Sequence, residues 1–332
     1  VTRVAMMGGG SWGTAFAVVL AEAGSQVTLW TRGEEMAADI NHFHRNSRYH
    51  PDVDLPDSII ATTDPQAALQ SAEIVVLAVP AQSLRANLKD WAQWISDEAV
   101  FVSLMKGIEL GTSMRMSEVI AEATGADAAR IAVVSGPNLA KEIIARQPTA
   151  TTVAASTQAS AIAIQQACTT DYFRPYWTTD VIGTEIGGAV KNVIAVANGI
   201  AVGMGLGENS QSSLITRGLA EIGRLGVALG ADPLTFLGLA GVGDLVATCQ
   251  SPLSRNRTFG ENLGKGLSVE ETIAVTKQTC EAYKSCQPIL ELAQKLGVEM
   301  PITAEVVEVL HFDKPPRELL SSFMARDTKS EL

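Results

Sequence analysis

The sequence holds little that would staple the chain, load it with metal or anchor it. Its 332 residues include only four cysteines (Cys168, Cys249, Cys280 and Cys286) and four histidines. No two cysteines form a CxxC pair, so the usual zinc spacings are missing and the thiols fit a reducing compartment. His42, His44 and His50 cluster in a polar stretch. They read as solvated or hydrogen-bonded loop histidines, with metal binding as the alternative. Basic residues are outnumbered by acidic ones, giving a formal net charge of −11. That balance argues against a nucleic-acid partner, although a few local cations can still hold one phosphate. Internal repeats and low-complexity tracts are missing. The apolar run Ile74–Val79 is too short to span a bilayer. The stretch 183–207 is interrupted by Glu185, Lys191, Asn192 and Asn198 and reads as a buried helix. No targeting stretch precedes the first strand-like run. The expectation is a cytoplasmic protein without stable membrane insertion.

What the sequence does have is alternation of strand and helix. A chain of this length suggests two domains and a core burying roughly 75% of its unfolded surface. Arg3–Met7 reads as a buried parallel strand, Thr14–Ala23 as a helix ended by Gly24, and Gln26–Trp30 as a second strand. Between the first strand and the helix, Gly8, Gly10 and Gly13 satisfy GxGxxG. Gly8 permits the tight turn, Gly10 lets a pyrophosphate approach the backbone, and Gly13 lets helix and strand pack closely. The helix start then offers free N–H groups to phosphate. The second strand ends in Thr31-Arg32 instead of an acid. Arg32 is placed to meet the 2′-phosphate of NADP or to lie across the adenine, with a solvated surface arginine as the alternative. Glu34 and Glu35 blunt that signal.

Further strands are expected at Ile59–Ala61, Ile74–Val79, Ala99–Leu104, Ile131–Val134 and Thr149–Ala154. Pro80, Lys106 and Gly136 follow strand ends, where open α/β sheets bind ligands. Lys106 is placed to meet an anion, or is a surface lysine. The chain divides near the aromatic Asp171–Thr178 segment. Residues 1–178 are the expected dinucleotide-binding domain, and 179–332 the expected α-helical substrate and catalytic domain. The fold class is α/β, with a Rossmann-like N-terminal domain.

The first long helical pattern of the second part carries Lys191 among apolar and small residues. An unpaired buried ammonium is costly, so Lys191 must pair with an acid or face a cleft. Gly187 and Gly188 weaken the helix unless something needs close access. Lys191 is therefore the candidate proton donor and acceptor, with an ion pair to Glu185 as the structural alternative. Later, Gly238–Leu245 reads as a glycine-rich turn ending in Asp244. Ser254-Arg255-Asn256-Arg257 offers guanidinium and neutral donors suited to a phosphate, or is a solvated loop.

Taken together, these motifs closely resemble the bacterial-type NAD(P)-dependent glycerol-3-phosphate dehydrogenase family. The match runs from Gly8–Ala15 through Lys106-Gly107, Gly136–Glu142, Lys191-Asn192, Asn209, Arg217-Gly218, Gly241–Leu245 and Ser254–Arg257 to Gly297–Ile302. The resemblance implies interconversion of dihydroxyacetone phosphate and sn-glycerol 3-phosphate, supplying glycerol phosphate for phospholipids. It implies Lys191 as general acid and base, and a substrate pocket of Lys106, Gly136, Asn138, Lys191, Asp244, Thr248, Ser254, Arg255 and Asn256. NADP(H) and/or NAD(H) would contact Ser11, Trp12, Arg32, Lys106, Ala140, Arg255 and Glu281, beside Gly8, Gly10 and Gly13. The partner is a small phosphorylated three-carbon substrate, and a homodimer is expected. Two departures stand out. Asn138 replaces a Ser or Thr, and Thr279-Cys280-Glu281-Ala282 replaces Val-x-Glu-Gly. The competing readings are a related two-domain hydroxy-acid dehydrogenase and a non-catalytic NADPH-binding sensor.

Overall fold

The structure is a computed structural model that describes residues 1–276 and 280–319. Thr279 and residues 320–332 of the expected second domain lie outside the described residues. Eight strands form one sheet: β1 (Arg3–Met7), β2 (Gln26–Trp30), β3 (Ile59–Thr62), β4 (Ile74–Leu77), β5 (Val100–Ser103), β6 (Ile131–Ser135), β7 (Thr149–Ala155) and β8 (Phe173–Thr178). Their order is β3-β2-β1-β4-β5-β6-β7-β8. The first six are parallel, in the doubly wound order of dinucleotide-binding sheets. β7 then runs antiparallel to β6, and β8 parallel to β7. Every residue of β4 is buried, as expected of an apolar run covered on both faces. β4 ends at Leu77, two residues before the expected end, and Pro80 precedes a short 3-10 turn at Ala81–Ser83. The segment expected to mark the domain boundary forms the edge strand β8, which ends at Thr178. Pro175 lacks an N–H, and an edge tolerates that loss.

Helices cover both faces of the sheet: α1 (Ser11–Glu22), α2 (Glu34–Phe43), α3 (Pro65–Leu69), α4 (Leu84–Trp91), α5 (Met116–Thr124), α6 (Ala140–Ile144) and α7 (Gln158–Ala167). The C-terminal part is helical, with α8 (Val181–Gly203), α9 (Glu208–Ala228), α10 (Asp244–Gln250), α11 (Arg255–Gly264), α12 (Val269–Thr276), α13 (Glu281–Lys295) and α14 (Pro301–His311). By length and composition α8 is apolar enough to cross a membrane, yet every residue from Gly183 to Ala201 is buried. A helix that is apolar all round is the core of its bundle, and the other helices pack around it. The buried carboxylate of Glu221 on α9 accepts the N–H groups of Ile302 (2.5 Å) and Thr303 (3.1 Å), so it caps the first turn of α14.

From sequence, Ser254–Arg257 is a donor cluster suited to a phosphate or, alternatively, a solvated loop. In the structure Ser254 is the N-cap of α11, its Oγ accepting from Arg257 N at 3.2 Å. The reason α11 forms lies in its packing. Gly199 and Gly203 of α8 face Gly260 and Gly264 of α11. A Cβ added at Gly199 would lie 2.1 Å from Arg257 O, and one at Gly260 would lie 2.1 Å from Val196 O. The two backbones touch, so α11 begins close beside the middle of α8.

Gly260→Ala should therefore force these helices apart. The expected cost is about 1–3 kcal/mol, typical of overpacking a fitted core. Thermal or denaturant unfolding would show a lower midpoint, and an unchanged midpoint would contradict this packing.

Candidate active site

The turn after β1 is built by its glycines. Gly8 has φ +136°, and a Cβ there would lie 2.5 Å from Ala78 O. A Cβ at Gly13 would lie 2.1 Å from Gly8 O, so helix and turn are as close as backbone atoms allow. A Cβ at Gly10, by contrast, would meet nothing within 4 Å among the described residues. Among the described residues no side chain caps α1. The turn thus leaves open space and unclaimed N–H groups at a helix start, which fits a dinucleotide pyrophosphate. Beside it lies a cleft of about 820 Å³. Gly8, Gly10, Ser11, Trp12, Gly13, Arg32 and Arg255 line it, as expected of the cofactor residues, together with Arg48 and Tyr49. Lys106, Ala140 and Glu281 are not on that wall. Lys106 turns to an acid, Ala140 packs against the sheet core, and Glu281 lies beside Arg255. Burial pushes the Glu281 carboxyl up, with Arg255 opposing. Arg32 is exposed, while Glu34 is engaged by the Thr63 hydroxyl at 2.6 Å.

The histidine-containing polar stretch, expected from sequence to be a hydrogen-bonded loop, buttresses this turn. Asn46 is fully buried and donates to Gly9 O (3.1 Å) and Thr14 Oγ1 (2.8 Å). His50 Nε2 lies 2.9 Å from Ser11 O, and since a carbonyl only accepts, that nitrogen carries the proton. Burial holds the His50 imidazole below its ordinary value. The histidines of this stretch act separately: His50 holds Ser11, while His44 faces Asp57 at 3.7 Å. Among the described residues no group of three or more His, Cys, Asp or Glu could hold a metal.

A second cluster forms where the sheet meets the helical part. Lys106, just past β5, donates to Asp244 Oδ2 (2.5 Å) and Gly136 O (3.0 Å). Lys191 of α8 lies 2.9 Å from Asp244 Oδ1 and donates to Thr248 Oγ1 at 2.5 Å. Thr248 sits one helical turn after Asp244 and donates to the same Oδ1 at 3.3 Å. Asp244 is 2% exposed, so one buried carboxylate is shared by two ammoniums and offsets the charge of only one. Burial pushes its carboxyl up, but the two lysines outweigh that and hold it below the usual range. Burial pushes Lys106 down to about 8, with Lys191 adding and Asp244 opposing. The cluster keeps one net positive charge.

The alternative partner for Lys191 is occupied elsewhere. Glu185 accepts from Arg115 Nη1 (2.6 Å), Ser117 Oγ (2.6 Å) and Ser117 N (2.8 Å). The two helix glycines serve close approach. A Cβ at Gly187 would lie 2.2 Å from Ala240 O, and one at Gly188 would lie 3.3 Å from Lys106 Cγ.

Ser254, Arg255 and Asn256 open α11 beside this cluster. Asn256 donates to Asn192 Oδ1 (2.9 Å), and its Oδ1 accepts from Ala282 N (3.2 Å) and Cys280 Sγ (3.3 Å). Asn192, adjacent to Lys191, thereby ties the start of α11 to α8. Cys280 and Ala282, part of the atypical segment, hold the other end of the same amide. Arg257 turns instead to Glu261 at 3.1 Å. Asn138 donates to Thr151 Oγ1 at 3.0 Å. Gly136, Lys106, Asp244, Lys191 and Thr248 thus form one bonded network. Thr151 and Asn46 were not singled out from sequence, because neither lies within a motif that carries chemistry; Asn192 entered only through the Lys191-Asn192 match, and His50 only as a loop histidine.

Comparison with known proteins converges on one family. The model of the NAD-dependent glycerol-3-phosphate dehydrogenase N-terminus matches residues 3–161, and that of its C-terminus matches residues 180–321. A curated glycerol-3-phosphate dehydrogenase [NAD(P)+] of Streptomyces griseus is 60% identical over 329 residues, covering 99% of this chain and 98% of its own. That of Corynebacterium glutamicum is 56% identical over 332 residues, with both chains fully covered. Among solved structures, glycerol-3-phosphate dehydrogenase of Coxiella burnetii superposes with a TM-score of 0.92 at 36% identity, covering 97% of this chain and 98% of its own.

The charge cluster has a consequence for stability. Between about pH 8 and its unfolded value of 10.5, Lys106 binds a proton in the unfolded chain but not in the folded one. Its contribution to folding stability therefore rises with pH across that window. Denaturant unfolding at pH 8 and pH 10 should show a smaller gain, or a larger loss, in Lys106→Met than in the wild type. Equal changes in both proteins would refute the assignment.

Proposed function

The chain belongs to the NAD-dependent glycerol-3-phosphate dehydrogenase family, and from that premise we propose how its residues divide the work. It is an NAD(P)-dependent oxidoreductase interconverting dihydroxyacetone phosphate and sn-glycerol 3-phosphate. Residues 1–178 hold the dinucleotide and 179–332 supply most of the substrate pocket. The bound nicotinamide supplies or accepts the hydride.

Lys191 gives a proton to the ketone oxygen on reduction and takes it back on oxidation. The observation that carries this reading is its buried ammonium, held by Asp244 Oδ1 at 2.9 Å and by Thr248. Both holders fix its direction while leaving one proton for the substrate. A positioned proton transfer of this kind contributes a factor of roughly 10² to 10⁴. Lys106 stabilises charge growing on the same oxygen, and Asp244 keeps the two ammoniums together. Arg255 and Asn256 grip the phosphate, with Ser254 at the same helix start. That remote grip orients the reacting end. Gly136, Asn138 and Thr248 complete the substrate pocket. Gly8, Gly10, Ser11, Trp12, Gly13, Arg32 and Arg255 attend the cofactor from the cleft wall, and Lys106, Ala140 and Glu281, which lie off that wall, are assigned to it by the family resemblance alone.

We assign Arg32 to the 2′-phosphate of NADPH, supported by its exposed place on the cleft wall and by Thr31-Arg32, not an acid, following β2. A cytoplasmic homodimer supplying glycerol phosphate for phospholipid synthesis completes the proposal.

Mixing the protein with reduced nicotinamide and dihydroxyacetone phosphate should bleach the reduced-nicotinamide absorbance. Lys191→Met should lower kcat by about 10²–10⁴, whereas Arg255→Ala should chiefly raise KM. A Lys191→Met enzyme with near-normal kcat would remove Lys191 from the chemistry.

A further inference from the structure

We infer that Thr151 sets the substrate specificity of this site: by fixing the amide of Asn138, it turns an acceptor-only oxygen toward the free hydroxymethyl group of the ketone. The inference rests on the functional reading above and adds a residue and a substrate atom to it.

The Thr151 hydroxyl carries a single proton. Thr151 lies on β7 and is fully buried. Its Oγ1 lies 3.2 Å from Ser135 O. A backbone carbonyl can only accept, so the single hydroxyl proton goes there. The lone pairs of Oγ1 are what remain for Asn138, 3.0 Å away. Only the NH2 end of the amide can meet them. Asn138 therefore has its Nδ2 on Thr151 and its Oδ1 on the opposite side.

That Oδ1 is buried and has no hydrogen-bond partner among the described residues. A dry, unpaired carbonyl is costly, and a donor from outside the chain removes the cost. The backbone of Asn138 is joined to the reacting cluster. Asn138 N donates to Gly136 O at 2.7 Å, and the same carbonyl accepts from Lys106 Nζ at 3.0 Å. Ser135 Oγ, at the end of β6, is likewise buried without a partner among the described residues.

The chemistry of the ketone then selects which end faces Asn138. Its phosphate and its carbonyl oxygen are acceptors and would oppose Oδ1. The free hydroxymethyl group is its O–H donor. The phosphate accordingly lies at the other end, toward the donors Arg255 and Asn256.

The test compares kcat/KM for dihydroxyacetone phosphate and for acetonyl phosphate, which carries hydrogen in place of the free hydroxyl. The wild type should favour dihydroxyacetone phosphate by at least about tenfold, because rejecting the analogue leaves Oδ1 unpaired. Thr151→Val, which frees the amide to turn, should shrink that ratio to about threefold or less. Thr151→Ser restores the hydroxyl and should keep the wild-type ratio. A lost fold would lower both rates, whereas only a lost hydroxyl contact moves their ratio. Should Thr151→Val show no cooperative thermal transition, Asn138→Leu decides alone by the same ratio. Discrimination that survives in the folded Thr151→Val, or in Asn138→Leu, overturns the inference. So does a wild type that treats both ketones alike. A wild type that reduces neither ketone overturns the functional reading and this inference with it.

Discussion

One carboxylate between two buried ammoniums is the constraint around which the rest is arranged. Lys106 comes from the sheet, Lys191 from the core helix α8, and Asp244 from α10, so Asp244 reaches Lys106 across 138 residues of sequence. Two positive charges held together out of water repel strongly and are poorly solvated. Asp244 gives each lysine one oxygen and so holds both in a common place. The surplus positive charge suits an anionic substrate and a developing alkoxide. The acidic surface elsewhere does not conflict with this, because the cluster is buried and local.

Holding three elements at hydrogen-bond distance requires a scaffold that packs backbone to backbone. Gly187 and Gly188 let α8 approach the turn before α10 and the Lys106 stem, and the facing glycines of α8 and α11 bring the start of α11 to Asn192. Each glycine that weakens the helix locally is offset by a contact that a methyl group would block. The same logic governs the dinucleotide turn. Gly8 and Gly13 are crowded by backbone, whereas Gly10 faces open space. Asn46 and His50 then brace that turn from a segment remote in sequence.

Much of this was legible in the residues. The alternation of strand and helix, the three glycine roles and the burial of Lys191 all followed from local pattern and the cost of an unpaired charge. Local pattern alone left the partner of Lys191 open. Glu185 is nearer in sequence, but Arg115 and Ser117 claim it, and that depends on a contact from α5. The polar Ser254–Arg257 run left a solvated loop open, and what makes this stretch start a helix is a tertiary contact between glycines. β8 was hidden by Pro175, which an edge strand accommodates. The replacement of a hydroxyl by Asn138 also gains meaning only in space, where Thr151 takes up the amide protons.

The central claim is that Asp244 sustains the positive charge of its lysines. The direct measurement is NMR titration of lysine labelled at Cε, with the Lys106 signal followed in the wild type and in Asp244→Asn. Lys106 should lose its proton near pH 8 in the wild type and at a clearly lower pH once the carboxylate is gone. A Lys106 signal that titrates at the ordinary lysine value in the wild type, or that is unmoved by Asp244→Asn, would contradict the account.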